Sequence, residues 1–488
     1  MSERVEIPEL GTVGMARYVW RQLTSMRTAL ILLMMLGIAA IPGSLVPQRI
    51  TNAIGVRDLY SSDPNLAKWY DRFYLFDVYG SPWFSAIYIL LFISLIGCVL
   101  PRSLEHFKAM RAEPPATPRN LSRLEFHHQF TTDTDALPTA LTWLKQRRFR
   151  IKQESGAISA EKGFLRETGN LLFHLSLILI LVGVSFGALF GMRGEAIINV
   201  GERFINVATT YDTLSFGKLT SEKSLQPFEI ALDRFNATYD PKNNMPLDYK
   251  AWVTVTENGV RTKKILKVNQ PLTFGNTRVY LQANGYSPVV TVRDSVGNVA
   301  LQGPVPFLPQ DGNLRSIGAI KVPDAVPAVG FVGNFVPTYQ RTSTQGAVSA
   351  FPELLDPKLL FSIWQGDLGL DSGIPQSVYR LDTEKLQQIA LGSVKPGETF
   401  TYSEGSITLE TVVPWVNLQV VRDPGKTYAL WGGIVAVLGL LSSLYGRRRR
   451  IWIRQVGDNV EVAGLAKNGV SGLEDEINSL VSALKGVK

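Results

Sequence analysis

Four long apolar runs stand out along the chain, at residues 28–47, 83–100, 170–190 and 427–446. Each has about the 20 residues that an α-helix needs to cross the hydrocarbon core of a bilayer. Residues 1–27 precede the first run, and no small-residue cleavage site separates that run from a plainly soluble chain. We therefore expect a retained anchor rather than a signal peptide, and four transmembrane helices in all.

Between the third and fourth runs the pattern changes to short alternating stretches. Segments such as "AWVTVTENGVRTKKILKV" and "TRVYLQANGYSPVVTVRDSVGNVALQ" alternate apolar and polar residues and are separated by Asn-Gly and Gly-Asn turns. This pattern is typical of antiparallel strands in a sandwich or barrel. The region 191–426 contains no histidine, no cysteine and no catalytic motif such as GxSxG or HExxH. We predict a β-rich scaffold or docking domain without a metal site.

The segment 101–169 reads as a small α/β domain. "LEFHHQFTTD" and "FRIKQESGAISAEKG" alternate as strands do, and "ALPTALTWLKQRR" between them predicts a helix. His127 and His128 are adjacent on the first strand, so they point to opposite faces and cannot both bind one metal. In the tail, 447–488, a strand-like stretch precedes a helix whose apolar residues recur at helical spacing. We expect that helix to pack on the α/β domain or on a partner.

The net charge of +8 could suggest nucleic acid, but the position of the basic residues argues against it. They cluster at the ends of the apolar runs: Arg17, Arg21 and Arg27 before the first, Arg102, Lys108 and Arg111 after the second, Arg166 before the third, and Arg447 to Arg450 after the fourth. This distribution follows the positive-inside rule. It predicts a cytoplasmic amino terminus (1–27), α/β segment (101–169) and tail (447–488), with 48–82 and 191–426 outside.

The predicted fold class is therefore a polytopic α-helical membrane protein, with four transmembrane helices, a large extracytoplasmic β-rich domain and a small cytoplasmic α/β segment. Cys98 is the single cysteine. Disulfides within the outer domain and CxxC thiol chemistry are thereby excluded. Cys98 itself fits a packing residue near the inner end of the second helix, with a redox or haem role as the alternative.

The external loop contains "KWYDRFYLFDVYGSPWF", which is rich in aromatic residues. One interpretation is a short amphipathic helix whose rings anchor it in the headgroup region. The other is an apolar surface against which a flat hydrophobic cofactor docks at the outer face.

The third apolar run carries an unexpected ionisable residue, His174, in "RETGNLLFHLSLILILVGVSFGALFG". It lies about 10 Å along the helix from the charged boundary at Glu167, within the inner leaflet. At about 100° per residue it faces away from Gly183, the first residue of a Gly183, Gly187 and Gly191 stripe that we expect to pack against another helix. The residues leave two roles open: a histidine hydrogen-bonded between helices, or an axial ligand to haem iron.

Three stretches resemble the ResB, or CcsB, family of System II cytochrome c biogenesis. They are "RQLTSMRTALILLMMLGIAAIPGSLVPQ", "GFLRETGNLLFHLSLILILVGV" and "VNQPLTFGNTRVYLQANGYSP". The resemblance covers nearly the whole chain, including the four-span layout. The chain lacks the tryptophan-rich haem-handling segment of the fused form, so it looks like the separate subunit.

The resemblance implies that this chain is an accessory subunit rather than an enzyme, in the bacterial plasma membrane. It would act with a multi-span partner of the CcsA or ResC type to carry haem across the membrane and present it to apocytochrome c. His174 would bind the iron of a transiently held b-type haem, and the partner would supply the second axial ligand. A thioredoxin-like reductant and membrane lipid are further expected partners. The alternative is a membrane-anchored protein whose outer domain binds a ligand or relays a signal.

Overall fold

The computed structural model describes residues 11–49, 52–342, 346–370, 378–445, 448–466 and 472–486. The chain forms two compact units, Met1–Val184 with Lys426–Lys488, and Ser185–Gly425. We call them the helical unit and the β-rich unit. Arg447 and residues 1–10, on which part of the predicted topology rests, lie outside the described residues.

The helices are α1 (Thr12–Leu23), α2 (Met26–Leu45), α3 (Ala53–Ser62), α4 (Pro64–Arg72), α5 (Pro82–Arg111), α6 (Leu137–Gln146), α7 (Leu165–Phe190), α8 (Lys426–Leu444) and α9 (Leu473–Leu484). Of these, α2, α5, α7 and α8 are long and apolar enough to cross a membrane, which confirms the four predicted apolar helices. Ser25 and Ser81 cap the first two of the four by accepting the amide protons of Thr28 and Phe84.

The strands fall into several sheets. In chain order they are β1 (Phe126–Thr131), β2 (Arg150–Glu154), β3 (Ala157–Lys162), β4 (Met192–Asn199), β5 (Arg203–Ile205), β6 (Thr213–Phe216), β7 (Glu229–Tyr239), β8 (Pro246–Glu257), β9 (Val260–Lys267), β10 (Leu272–Phe274), β11 (Thr277–Asp294), β12 (Val299–Pro304), β13 (Leu308–Pro309), β14 (Ser316–Val322), β15 (Val329–Val336), β16 (Tyr339–Thr342), β17 (Gly346–Ser349), β18 (Lys358–Gln365), β19 (Gln387–Val394), β20 (Thr399–Tyr402), β21 (Gly405–Arg422), β22 (Arg449–Val456) and β23 (Asn459–Ala466).

Strands from two distant parts of the chain form one five-stranded sheet, in the order β1-β23-β22-β3-β2. Helices α6 and α9 contribute to its apolar core, where Leu473, Ile477, Leu480 and Leu484 of α9 are buried. The predicted packing of the tail helix on this domain is thus confirmed. We call this sheet with α6 and α9 the α/β module.

The shared sheet restricts how the long helices can be threaded. Strands β1 to β3 lie between α5 and α7, whereas β22 and β23 follow α8. Because these strands pair directly with one another, the end of α5, the start of α7 and the end of α8 lie on the same side of any membrane that the helices cross.

A buried carboxylate joins these two parts of the chain. Glu161 on β3 has a side chain only 3% exposed, and it accepts hydrogen bonds from Arg448 Nε at 2.5 Å and Arg450 Nε at 2.9 Å. Arg448 also lies 3.4 Å from Glu167, in the first turn of α7. Burial raises the pKa of Glu161, but the two guanidinium groups together lower it by more than burial raises it. The pKa therefore lies below its usual value.

The β-rich unit is organised by two long strands. β11 and β21 pair antiparallel from Thr277–Arg422 to Asp294–Gly405 and extend past both apolar cores of the unit. Strands β5, β7, β8 and β9 form a four-stranded sheet, and β13, β14, β15, β18 and β19 a five-stranded one. Trp415 of β21 is 2% exposed, and its Nε1 donates to the carbonyls of Tyr286 and Phe307. The predicted β-rich domain is confirmed.

The ion pairs of Glu161 give a first prediction. Glu161→Gln removes the carboxylate that Arg448 and Arg450 share and leaves Arg448 only the more distant Glu167, and losing one partner of a buried pair costs about 3–5 kcal/mol. Because Arg448 and Arg450 are partly exposed, we expect the variant to lose about 2 kcal/mol of folding stability. This loss should appear as faster trypsin cleavage within residues 112–164 of the purified protein. Since the folded-state pKa is lowered, the wild-type stabilisation is present above the ordinary value of 4.5 and is lost as pH falls through the folded-state pKa.

Glu125→Gln is the matched control, because Glu125 is exposed and lies in the same segment between α5 and α7. This variant should be cleaved at the wild-type rate. Equal cleavage of the Glu161 and Glu125 variants at neutral pH would contradict this role for the buried carboxylate.

Candidate functional site

His174 lies in the first half of α7, and its imidazole is held in one tautomer. Its Nδ1 is 2.7 Å from the carbonyl oxygen of Asn170, one helical turn earlier. A carbonyl oxygen can only accept, so Nδ1 carries the proton and donates it. In the neutral ring Nε2 then keeps its lone pair, which is the arrangement of a histidine that binds a metal ion through Nε2.

The Nε2 atom is available for such a bond. The side chain is half-buried, and the ring of Phe173 lies edge-on to the imidazole, 5.3 Å between centroids. Within the described ranges of the chain, Nε2 makes no hydrogen bond. A histidine that joins two helices would use this nitrogen to reach the second helix, and among the described residues His174 makes no such bond. The role of His174 as an axial ligand stays a prediction.

Helix α8 packs closely against the face of α7 that carries Gly169 and Ser176. A Cβ added to Gly169 would lie 2.6 Å from the carbonyl oxygen of Gly439, and one added to Gly432 would lie 3.1 Å from the carbonyl oxygen of Ser176. His174 is five positions after Gly169 and two before Ser176, which places it about 140° and 160° away around the helix. The imidazole therefore points away from α8.

This packing corrects the predicted glycine stripe. Gly169, Ser176 and Gly183 are the buried small residues of α7, at a spacing of seven. Gly187 is instead approached by the carboxylate of Asp423, and Gly191 by the carbonyl of Arg422. Of the expected stripe only Gly183 is buried within the helix, whereas Gly187 and Gly191 meet the segment that precedes α8 and not a helix.

Helix α5 contacts α7 on both sides of His174 along the helix axis. The Tyr88 hydroxyl donates to the carbonyl of Leu181 at 3.0 Å, and His106 Nε2 lies 2.9 Å from Thr168 Oγ1. These contacts fix α7 above and below the imidazole. Backbone position at His174 is thereby set by two neighbouring helices, α5 and α8.

His106 is a residue that the sequence analysis did not identify. Its Nε2 meets Thr168 Oγ1, and its Nδ1 lies 3.6 Å from a carboxylate oxygen of Glu167, with 9% of the side chain exposed. Both nitrogens therefore face polar groups, unlike those of His174. The available signal was that the helical pattern of the second run continues past Pro101 to Arg111, which places His106 on the same helix as the apolar run.

The other candidate histidines and the cysteine lie elsewhere in the helical unit. His127 and His128 pair with Ala463 and Val462 on β23, and His127 approaches Glu461 at 3.7 Å. Cys98 is half-buried, with Sγ 3.4 Å from the carbonyl of Leu95. Among the described residues, no three His, Cys, Asp or Glu side chains converge as a metal site.

The aromatic-rich loop between α2 and α5 forms helices α3 and α4 beside the end of α2. Trp69 and Phe73 stack at 5.6 Å between centroids and are both more than half exposed. A cleft of about 650 Å³ lies nearby, lined mainly by apolar residues: Ile41, Pro42, Leu45, Val46, Pro47, Gly55, Leu59, Ser62, Leu66, Tyr70 and Leu75. The exposed rings fit interfacial anchors and the cleft fits an apolar guest, so the two interpretations of this loop both stay open.

Comparison with known proteins gives a consistent result over almost the whole chain. The model of the ResB-like family matches residues 26–478. A "Cytochrome c biogenesis protein CcsB" from Prochlorococcus marinus (strain NATL1A) is 24% identical over 473 residues, which cover 95% of this chain and 97% of that protein. One of the same name from Nostoc sp. (strain PCC 7120 / SAG 25.82 / UTEX 2576) is 25% identical over 471 residues, with 95% and 91% covered.

The contact of α7 with α8 gives a second prediction. In Gly439→Leu the new Cβ would meet the backbone of α7, 2.6 Å from Phe173 N and 2.8 Å from Gly169 O, and backbone cannot move aside as a side chain can. Overpacking of this kind costs about 1–3 kcal/mol. The thermal midpoint of the detergent-purified protein, followed by size-exclusion chromatography, should fall.

Gly433→Leu on the same helix is the control, because no atom lies within 4 Å of a Cβ at Gly433. A Gly439→Leu midpoint as high as that of Gly433→Leu would show that α7 and α8 are not packed through these glycines.

Proposed function

The chain belongs to the ResB-like family, and from this premise we propose that it is a membrane subunit of a cytochrome c biogenesis apparatus. It acts with a multi-span partner of the CcsA or ResC type, moves haem across the membrane and presents it for covalent attachment to apocytochrome c. The family match and the names of the relatives support the biogenesis role. Haem here is cargo, and the chain is an accessory subunit rather than the ligating enzyme.

The observation that carries the haem assignment is the free Nε2 of His174. We propose that this atom is an axial ligand to the iron of a transiently held b-type haem. The Asn170 carbonyl holds the proton on Nδ1, which leaves the lone pair on Nε2 and fixes its direction. Bound at this site, haem brings an iron that takes a second axial ligand from outside this chain.

The α7–α8 contact leaves the imidazole on the other side of α7. Because α8 covers the opposite face of α7, the imidazole faces away from the glycine contact. A CcsA- or ResC-type subunit docked there would complete a bis-histidine site. The small residues of α7 and α8 hold the two backbones close together, so that the position of His174 does not depend on long, flexible side chains.

We further propose a bacterial plasma membrane location, with the α/β module and both termini in the cytoplasm and the β-rich unit outside. The basic residues at the helix ends support this orientation, and the shared sheet requires its two contributing segments to lie on one side. Apocytochrome c, membrane lipid and a thioredoxin-like reductant complete the proposed set of partners.

Replacing the ligand tests the haem assignment. In the complex purified with its CcsA- or ResC-type partner, His174→Ala should lower the Soret absorbance per protein at least about tenfold, because only one axial ligand remains. Added imidazole should restore part of the band by filling the vacated position. His128→Ala, on strand β1, is the control and should keep the wild-type band. Wild-type haem content in the His174 variant would overturn the assignment.

Deletion of the gene separates haem delivery from the alternative of a membrane-anchored ligand-binding or signalling protein. Haem delivery predicts the loss of covalent, c-type haem on denaturing gels while b-type cytochromes, which need no thioether bond, stay at wild-type levels. Parallel loss or parallel retention of both types would contradict a specific role in cytochrome c biogenesis.

A further inference from the structure

The β8–β9 hairpin of the β-rich unit ends in a tight turn that fixes its hydrogen-bond pattern. Asn258 and Gly259 form the two-residue turn, and both have positive φ, 50° and 79°. Two positive φ values indicate a type I′ turn, in which the flanking pair Glu257–Val260 is hydrogen-bonded. Hydrogen-bonded and non-hydrogen-bonded pairs then alternate along the ladder.

The alternation leaves one set of backbone groups on β9 directed outward. The pairs Thr254–Lys263 and Trp252–Ile265 are non-hydrogen-bonded, as is the pair at Arg261. β9 is the last strand of its sheet, which runs β5-β7-β8-β9. The amide and carbonyl groups of Arg261, Lys263 and Ile265 therefore point away from β8, along an edge that no strand of this sheet covers.

This edge is exposed over most of its length. Residues 260 to 265 are all exposed, including Ile265 at 47%. Beyond them the edge closes, because Lys267 is bridged to Gln270. The side chains of Arg261, Lys263 and Ile265 share one face of the sheet. On that face Ile265 lies opposite Trp252, and the guanidinium of Arg234 stacks over the Trp252 ring at 3.8 Å.

The charges on this edge are not balanced locally. Within the part of the chain that the structure describes, Arg261, Lys263 and Lys264 form no ion pair, whereas Lys250 on β8 is bound to Asp248 at 2.6 Å. Cationic side chains on an edge strand discourage pairing with a second copy of the same edge, because like charges would meet. They favour a strand that carries carboxylates.

We infer that β9 is a docking edge for an extended, acidic polypeptide, which adds to the sheet as a fifth strand. Main-chain hydrogen bonds to Arg261, Lys263 and Ile265 hold the added strand, and side-chain pairs select it. The register specifies a pattern: carboxylates at alternate positions opposite Arg261 and Lys263, and an apolar side chain opposite Ile265. The inference is independent of haem binding at His174.

The test uses a fluorescent ten-residue peptide, LTETETETET, which in an antiparallel added strand can place leucine opposite Ile265 and glutamates opposite Lys263 and Arg261 on the same face. Its binding to the detergent-purified full chain is measured by fluorescence anisotropy. Two further peptides carry N-methyl groups on one or the other alternate set of amides. Only one set faces β9 in an added strand, so one peptide should bind roughly tenfold or more weakly and the other as the parent does.

Variants of the protein give a matched comparison. Lys263→Ala removes one exposed charge and should weaken binding about two- to fivefold. Lys263→Pro also removes the outward N–H, which β8 does not use, and should weaken binding roughly tenfold more. Lys264→Ala removes a charge from the other face of the sheet, and the amide of this residue is already directed at β8, so the variant should have the smaller effect.

Equal affinity of the two N-methylated peptides would overturn the inference, since it would show that no backbone ladder forms. Displacement of the peptide by phosphatidylglycerol vesicles, together with indifference to the methylation pattern, would identify a purely electrostatic lipid-binding surface instead.

Discussion

The helical unit depends on one buried carboxylate, Glu161, and the guanidinium groups of Arg448 and Arg450 that surround it. Arg448 and Arg450 follow Glu161 by 287 and 289 positions in the sequence. Their ion pairs link the strand that leads into α7 with the strand that follows α8, next to the ladder that joins β3 to β22. A desolvated carboxylate is tolerated here because two cations meet it, so these ion pairs stabilise the sheet and the adjoining helix ends together.

The same contacts position the candidate ligand. Only residues 163 and 164 separate the end of β3 from the start of α7, where Glu167 contacts Arg448. The helix then packs along α8 through Gly169 and Gly439. The start of α7 and the end of α8 are thus both held by the α/β module, within ten residues of His174 along α7. The imidazole itself contributes little to this packing: its one hydrogen bond is to its own helix, through Nδ1.

The sequence was sufficient for the elements that local pattern determines. Four apolar runs, the strand-rich region and the amphipathic tail helix with Leu473 and Leu484 are all present, because length and periodicity report burial directly. Two features needed the fold. The five-stranded sheet combines strands separated by nearly the whole β-rich unit, and pairing at that distance leaves no local signal. His106 was missed because it follows the apolar run and becomes buried only where α5 meets Thr168. The glycine stripe failed because spacing alone does not say which small residues a neighbouring helix will meet.

The split sheet also has a consequence for biosynthesis. β1, β2 and β3 emerge from the ribosome long before β22 and β23, with α7, the whole β-rich unit and α8 synthesised in between. Until the tail arrives, β3 exposes an unpaired edge and Glu161 has no counterion from Arg448 or Arg450. The module therefore closes last, after every apolar helix has been made, and non-local closure of this kind is slow. A chain stalled or cut before β22 would present an open strand edge and an unmatched buried acid, features that mark it as unfinished to proteases and chaperones.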